Sequence, residues 1–438
     1  MMPLACVLLA ACSGATAPPP DHATATWRGG WVREADTLAV TVTLPGAAGL
    51  ETGTFTSIPL RAIDVPLGEV HAAHDSVRWV LPGDAQVARF NGVMRGDTLT
   101  GTVDEAGDAG TFYLLRDSAT TTPLEESEVE FQHEGISLAG TIIWPSGRGP
   151  FPGIVFVHGS RAEGRWASRF LAEAAARRGI AALIYDKRGV GASTGSWERA
   201  SLADLIGDAS AAIARLRHES RVDGNRVGVH GHSQGGLLAP AIARDNGHVA
   251  FVIGSSAPGV AMRDVDRFAL EQELGVAQMA SSDRDAASAY ITAIVQAAYD
   301  GASRAVLHAM YHRLRHKPWI FEPPAEDDPF WQMAASTAHY DVEAAWRSVQ
   351  VPALLVYGAA DQQVPAELSA ARIMRAYAQG SGHAPDTLLF ADADHSFRLR
   401  ERSSGFRWPR TATGYPDRLL DWVVRVTQRR ALAPAPTP

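Results

Sequence analysis

The run Arg226-Val-Gly-Val-His-Gly-His-Ser-Gln-Gly-Gly236 sets a short strand carrying Val227 and Val229 directly against Gly231-His232-Ser233-Gln234-Gly235, a match to G-x-S-x-G. A serine squeezed into a strand-to-helix turn takes strained backbone angles that only small neighbours accommodate, and its hydroxyl then stands clear of the sheet. The bare five-residue pattern also occurs as an ordinary glycine-rich turn. Here the flanks decide, because a small-residue helical stretch with Leu237, Leu238, Ala239, Ala241 and Ile242 follows at once. The segment therefore demands a strand–turn–helix unit, with Ser233 as candidate nucleophile.

A serine alone is a weak nucleophile, so a general base and a residue to orient it are expected downstream in the order Ser, acid, His. Val351-Pro-Ala-Leu-Leu-Val-Tyr-Gly358 reads as a buried parallel strand, with Asp361 just beyond its C-terminal end. Thr387 to Phe390 reads as another short strand, and His395 lies in the loop after it. Ligands bind beyond the carboxyl ends of the strands in open α/β sheets, so Ser233, Asp361 and His395 are expected to converge there. His395 would take the Ser233 proton and return it to the leaving group, while Asp361 would fix the imidazole tautomer. Asp392 and Asp394 are rival acids because they flank the histidine. Asp361 is preferred for its strand-end position, and the plain alternative for His395 is a surface loop histidine.

Attack on an acyl carbon creates an oxyanion, which needs preorganised donors. One is expected from the backbone N–H of Gln234. The second is expected after the strand Phe151-Pro-Gly-Ile-Val-Phe-Val-His158-Gly159, from the N–H of Ser160, with Arg161 the near alternative. His158-Gly159 also reads as a simple strand-ending turn.

Val155 to Gly159, Tyr185-Asp-Lys-Arg-Gly-Val-Gly-Ala-Ser193, Gly231 to Gly235, and Asp361 with His395 together resemble the α/β-hydrolase superfamily, in particular its bacterial esterase, thioesterase and serine-peptidase-like branches. The resemblance spans roughly residues 125 to 430. It implies a doubly wound, mostly parallel sheet and a serine hydrolase without metal or organic cofactor. It is far less informative about substrate, because this fold hosts many chemistries.

Two other patterns carry less. Gly189-Val-Gly-Ala-Ser-Thr-Gly195 has the wrong glycine spacing for a nucleotide loop and lacks a following Gly-Lys-Ser/Thr, so it reads as a loop shaping the rim of the site. His71, His74 and Asp75 in a β-rich region, with no cysteine partner, are weak evidence for a metal site.

The N-terminus, Met1-Met-Pro-Leu-Ala-Cys-Val-Leu-Leu-Ala-Ala-Cys12-Ser13, is apolar but too short to span a bilayer, and reads as the core of an export signal. Leu9 to Cys12 resembles the lipobox of bacterial lipoproteins, which implies cleavage before Cys12, acylation of that cysteine and a membrane anchor facing the periplasm or cell exterior. No Lys or Arg precedes the apolar stretch, a departure from that pattern which points to a start further upstream. A processed soluble export and an unstructured cytosolic terminus are the plain alternatives. Both cysteines, Cys6 and Cys12, lie in this segment, so the body of the chain is expected to have no disulfide or thiol chemistry.

A proline-rich stretch to residue 26 reads as a tether. Period-two alternation follows at Leu38–Leu44, Val77–Leu81, Val87–Val93, Asp97–Val103 and Gly110–Leu115, so residues 27–120 are expected to form a small antiparallel β sandwich or barrel. That domain is expected to pack beside the hydrolase, with ligand binding as its alternative role. The hydrolase core is expected at 125–258 and 347–432. Leu202, Leu205, Ile206, Ala209, Ile213 and Leu216 mark a core-facing helix within it. After Phe251–Ser255 the alternation stops, and residues 259–346 read as a helical cap insertion. Its Tyr290, Tyr299, Met310, Tyr311, Trp319, Phe321, Phe330 and Trp331 either line an acyl pocket or hold the cap together.

Of 438 residues 46% are hydrophobic, enough for large cores, and a net charge of −8 argues against nucleic acid as a partner. The expectation is an exported serine hydrolase acting on small-molecule carboxylic esters, with thioesters as a second acyl class, through an acyl-enzyme on Ser233. A peptidase or amidase of the same fold is the alternative, and would need acids recognising an amine, for which Glu163, Glu198 and Asp264 are candidates. A non-catalytic binding lipoprotein is the reading from another class. Oligomeric state is not written in these residues.

Overall fold

The computed structural model describes residues 25–34, 36–45, 53–83, 87–117, 124–399, 408 and 410–432, so Cys12 and the tether up to residue 24 lie outside the described residues. The chain divides into two compact units, Met1–Ser57 with Ile63–Thr121, and Ile58–Ala62 with Thr122–Pro438.

The first unit is built on one antiparallel sheet of β1 (Ala25–Arg33), β2 (Asp36–Leu44), β3 (Thr54–Ser57), β4 (Ala62–Pro66), β5 (Gly68–Ala73), β6 (Ser76–Pro82), β7 (Val87–Arg95), β8 (Thr98–Glu105) and β9 (Asp108–Arg116). Their order is β4-β3-β2-β1-β9-β8-β7-β6-β5, so β1 bridges two runs of neighbouring strands, and the edge strands β4 and β5 are separated in sequence by Leu67 alone. Alternate residues point inward, as in β7, where Ala88, Phe90 and Gly92 are buried between exposed neighbours. Trp27, Trp31, Trp79, Phe55, Phe90 and Phe112 fill the interior, with Trp79 stacked on Phe90 at 4.9 Å. His71 lies exposed on β5, and His74 and Asp75 in the turn that follows.

The second unit carries an eight-stranded sheet of β10 (Glu125–His133), β11 (Ile136–Trp144), β12 (Phe151–Val157), β13 (Ala181–Tyr185), β14 (Val222–His232), β15 (Val252–Ser255), β16 (Ala353–Gly358) and β17 (Asp386–Phe390). The order is β10-β11-β13-β12-β14-β15-β16-β17, antiparallel at the β10–β11 hairpin and its junction with β13, and parallel from there on. β13 and β16 are buried along their whole length, as strands covered on both faces must be, and they read as unbroken apolar runs. This is the α/β-hydrolase fold that the motifs implied.

The covering helices are α1 (Arg169–Ala176), α2 (Leu202–Arg217), α3 (Gln234–Asp245), α9 (Ala366–Ser381) and α10 (Asp417–Leu432). α2 shows why such a segment folds where it does. The Ser201 hydroxyl accepts from Asp204 N while Asp204 accepts from Ser201 N, a reciprocal cap, and Leu202, Leu205, Ala209, Ile213 and Leu216 then bury one face. Between β15 and β16 lie α4 (Met262–Glu273), α5 (Ser281–Tyr299), α6 (Arg304–Leu314), α7 (Pro329–Thr337) and α8 (Val342–Arg347). α8 puts Val342 and Trp346 into the core of the sheet, whereas α5, α6 and α7 gather around a separate cluster of Tyr290, Ile294, Leu307 and Trp331. Among the described residues no helix is long and apolar enough to cross a membrane.

Candidate active site

Ser233 sits between β14 and α3 with φ 55° and ψ −114°. A left-handed φ at a serine costs on the order of 1–3 kcal/mol and persists only where the surroundings enforce it. They do so through backbone bonds on both sides, Ser233 N to Ser255 O at 2.9 Å and Leu237 N to Ser233 O at 3.0 Å. A Cβ on Gly231 would stand 2.0 Å from Gly235 O, and one on Gly235 would stand 2.4 Å from Val157 O. Only hydrogen fits at either place: Gly231 abuts the first turn of α3, and Gly235 abuts the end of β12.

Asp361 follows the end of β16 by three residues and is held by its own turn. Its Oδ1 accepts from Gln363 N at 2.7 Å and Val364 N at 2.9 Å, which leaves Oδ2 for His395 Nδ1 at 2.8 Å. Both side chains are buried. With Nδ1–H given to the carboxylate, Nε2 is the basic nitrogen of the ring, and His395 lines the same cavity as Ser233. The rival acids lie elsewhere: Asp392 is exposed, and Asp394 accepts from Ser396 N at 2.9 Å and Arg398 N at 2.8 Å, closing the turn that carries the histidine.

Two residues that sequence reasoning missed fix this loop from below. The His395 carbonyl accepts from His232 Nε2 at 3.0 Å and from Ser256 Oγ at 2.8 Å. Burial, and then the neighbouring His395, lower the His232 pKa to about 4, so His232 is neutral at physiological pH with its proton on Nε2. The signal was its place inside the motif, immediately before Ser233.

The loop after β12 brings Ser160, with Gln234, to the cavity that contains Ser233 and His395. His158 is not among the described residues lining that cavity. Its Nε2 lies 2.5 Å from Tyr185 O, and burial lowers its pKa to about 4. The loop is braced by Glu163, which accepts from Gly159 N at 2.7 Å, and by Lys187, a further residue that sequence reasoning left unassigned. Lys187 Nζ donates to Gly159 O at 2.7 Å, to Arg161 O at 3.3 Å and to Gln234 Oε1 at 3.2 Å. A trans peptide carries its C=O and N–H on opposite sides, so fixing the Gly159 carbonyl on Lys187 turns the Ser160 N–H the other way. One buried ammonium, its pKa lowered to about 8 by desolvation, thus ties together the two segments that supply the candidate oxyanion donors. The rim loop at Gly189–Gly195 is fastened by Asp186, which accepts from Ala192 N at 3.1 Å and Arg165 N at 2.9 Å.

The cavity has a volume of 110 Å³ and is roofed by α4, α5 and α7 through Met262, Val265, Asp266, Ala269, Tyr299 and Met333. Of the cap side chains named from sequence as acyl-pocket candidates, Tyr299 lines it. Tyr290, Met310, Tyr311, Phe321, Phe330 and Trp331 pack on one another in the cap's own core, and Trp319 in the smaller cluster beside it. The aromatic content that suggested a pocket wall is, Tyr299 apart, what holds the cap helices together. Glu163 braces backbone, Asp264 is exposed, and the acid that reaches the cavity is Asp266. A larger groove of 620 Å³ lies where β16 and β17 begin, lined by Pro352, His383, Asp386 and Arg429. It is at the amino ends of the strands, away from Ser233, so the smaller cavity is the candidate site.

Comparison with known proteins gives a match over residues 150–384 to the family described as serine aminopeptidase, S33. Among curated proteins, the esterase EstD of Thermotoga maritima is 30% identical over 176 residues, 38% of this chain and 41% of the relative. The chain thus spans less than half the length of that relative. Among solved structures, the esterase Pf2001 of Pyrococcus furiosus is 18% identical, with 72% of this chain and 96% of that one covered at a TM-score of 0.45. The α/β hydrolase GrgF of Penicillium sp. sh18 is also 18% identical, with 70% and 99% covered at a TM-score of 0.46.

Proposed function

The chain belongs to the serine aminopeptidase S33 family of α/β hydrolases, and from that membership we propose that it is a serine hydrolase cleaving carboxylic esters, thioesters included, through an acyl-enzyme on Ser233. The observation that carries the reading is the 2.8 Å contact between His395 Nδ1 and Asp361 Oδ2 at the cavity that holds a strained Ser233. His395 Nε2 takes the hydroxyl proton as Ser233 Oγ bonds to the acyl carbon. The carbonyl oxygen becomes an oxyanion facing the N–H groups of Gln234 and Ser160. Its collapse breaks the bond to the alkoxy group, which leaves with the proton from His395, and water then repeats the sequence on the acyl-enzyme. Asp361 holds the imidazole by Nδ1 and stabilises the imidazolium formed in each half.

The esterase EstD supports the ester over the amide. Two observations favour the amide as the second reading: the family's description as aminopeptidase, and a carboxyl, Asp266, in the cavity. The test is labelling with a fluorophosphonate beside the Ser233→Ala protein, followed by nitrophenyl esters from acetyl to palmitoyl and one aminoacyl anilide. Labelling and ester turnover that both vanish in Ser233→Ala, by roughly 10⁴-fold or more for turnover, are expected. Undiminished turnover in Ser233→Ala would overturn the mechanism, and faster anilide than ester cleavage would move the assignment to the amide.

A further inference from the structure

The roof of the catalytic cavity carries one carboxyl among its described lining residues, Asp266 of α4, beside the apolar Met262, Val265, Ala269 and Met333 and the neutral polar Tyr299 and Thr337. Tyr299 of α5 donates to Asp266 Oδ2 at 2.6 Å. A carboxylate offers about four acceptor sites, so one phenol leaves most of its capacity open. No Lys or Arg is among the described residues lining the cavity. The arginines on the same helix have other partners: Arg263 pairs with Asp300 at 2.6 Å, and Arg267 donates to Thr292 Oγ1 at 3.0 Å. A partly desolvated carboxyl without a cation is costly unless it meets donors.

We propose that Asp266, oriented by Tyr299, is the polar end of the substrate pocket, and that it selects esters carrying a hydrogen-bond donor, a hydroxyl or an ammonium group, over plain alkyl esters and against anionic ones. This deepens the ester-hydrolase reading and rests on it. A pocket built to bond a donor rejects the analogue that lacks it more strongly than an apolar pocket rejects one extra methylene, because the half-buried carboxyl is then left with an open valence. Burial pushes the Asp266 pKa up to about 6, so at pH 7.5 the group is ionised. The methyl end then loses a hydrogen bond and the anionic end meets a like charge. Hydroxyl and ammonium share the recognising chemistry, and charge separates them.

The experiment compares kcat/KM at pH 7.5 for two series of equal length. One is ethyl esters whose acyl chains end in methyl, hydroxyl, ammonium or carboxylate; the other places the same ends on the alcohol, with a fixed acyl group. The expected result is a preference of about tenfold or more for hydroxyl or ammonium over methyl in one series, with the carboxylate end poorest. In Asp266→Leu the donor-to-methyl ratio should fall to near one or invert. In the isosteric Asp266→Asn the ammonium preference and the carboxylate penalty should both fade while the hydroxyl preference survives. Equal rates for donor and methyl ends in both series, or an Asp266→Asn protein that slows every substrate in the same proportion, would overturn the proposal and leave the pair as a tie between cap helices. Fluorophosphonate labelling run alongside separates the two levels. A protein that labels at Ser233 but does not discriminate defeats this inference alone, whereas absence of Ser233 labelling defeats the ester-hydrolase reading itself.

Discussion

The floor and the roof of the catalytic cavity are built on different principles. The floor, from β12, β14, β16 and β17 with their turns, positions its groups through backbone: Ser233 by a left-handed turn closed by glycines, Asp361 by two peptide N–H groups, and His395 through its own carbonyl. The roof, from α4, α5 and α7, positions its groups through side-chain packing in a cap core of its own. Backbone placement tolerates almost no substitution and suits chemistry that must be geometrically fixed. Side-chain placement on amphipathic helices accepts many sequences and suits discrimination between ligands.

That contrast can be broken most decisively at Asp361. Asp361→Asn leaves the turn nearly isosteric but disturbs the tautomer of His395, and a fall in kcat of roughly 10³- to 10⁴-fold with the fold intact by circular dichroism is expected. A loss of less than tenfold would mean that the floor does not act through this contact.

Acid should separate floor from roof by sign. Burial lowers the pKa of His158 to about 4, of His230 to about 3 and of His232 to about 4, all below their unfolded value near 6.5. In the window between, the unfolded chain binds protons that the folded one refuses. Their contribution is therefore whole above pH 6.5 and lost as pH falls toward 4 and 3. Asp266 runs the other way, because its folded pKa is raised to about 6 and its charge is a burden above that pH. Denaturant midpoints should fall with acid, the three histidines together taking up close to three protons on unfolding while Asp266 releases about one. Asp266→Asn should be more stable than wild type at pH 7.5 and by a smaller margin at pH 5. A midpoint flat from pH 7 to 4 would show that the floor histidines are not neutral by burial.

Lys187→Met gives the smallest and sharpest effect. If Lys187 sets the Ser160 peptide, kcat should fall by about tenfold to a hundredfold with KM little changed, and affinity for a boronic acid that mimics the tetrahedral intermediate should fall in parallel. A rise in KM alone would assign Lys187 to substrate binding instead.

Legibility follows the same division. G-x-S-x-G, the strand-end aspartate and the late histidine were readable because each is tied to a short stretch of backbone whose conformation leaves few residue choices. His232, Ser256 and Lys187 were not, since their partners are carbonyls brought close by tertiary structure, and a carbonyl has no letter in the sequence. Asp266 was passed over in favour of Asp264 because helix phase, not residue type, decides which of two acids on α4 faces the cavity. In the first unit, β2, β6, β7, β8 and β9 were evident from alternation that is complete or nearly so. β1 was hidden by Gly29 and Gly30, and β5, Gly68–Ala73, is almost entirely exposed and so has no apolar face to betray it.

The anchoring of His395 by its carbonyl has a consequence for timing. In the mechanism proposed above the ring becomes a cation and reverts twice in each turnover, once for each half of the reaction. A loop secured through the ring itself would be jolted at every one of those changes. Here the two donors below, a hydroxyl and an imidazole too deeply buried to ionise, grip an amide oxygen whose charge stays constant throughout. The bearing on which the base is mounted is electrically indifferent to the cycle the base performs.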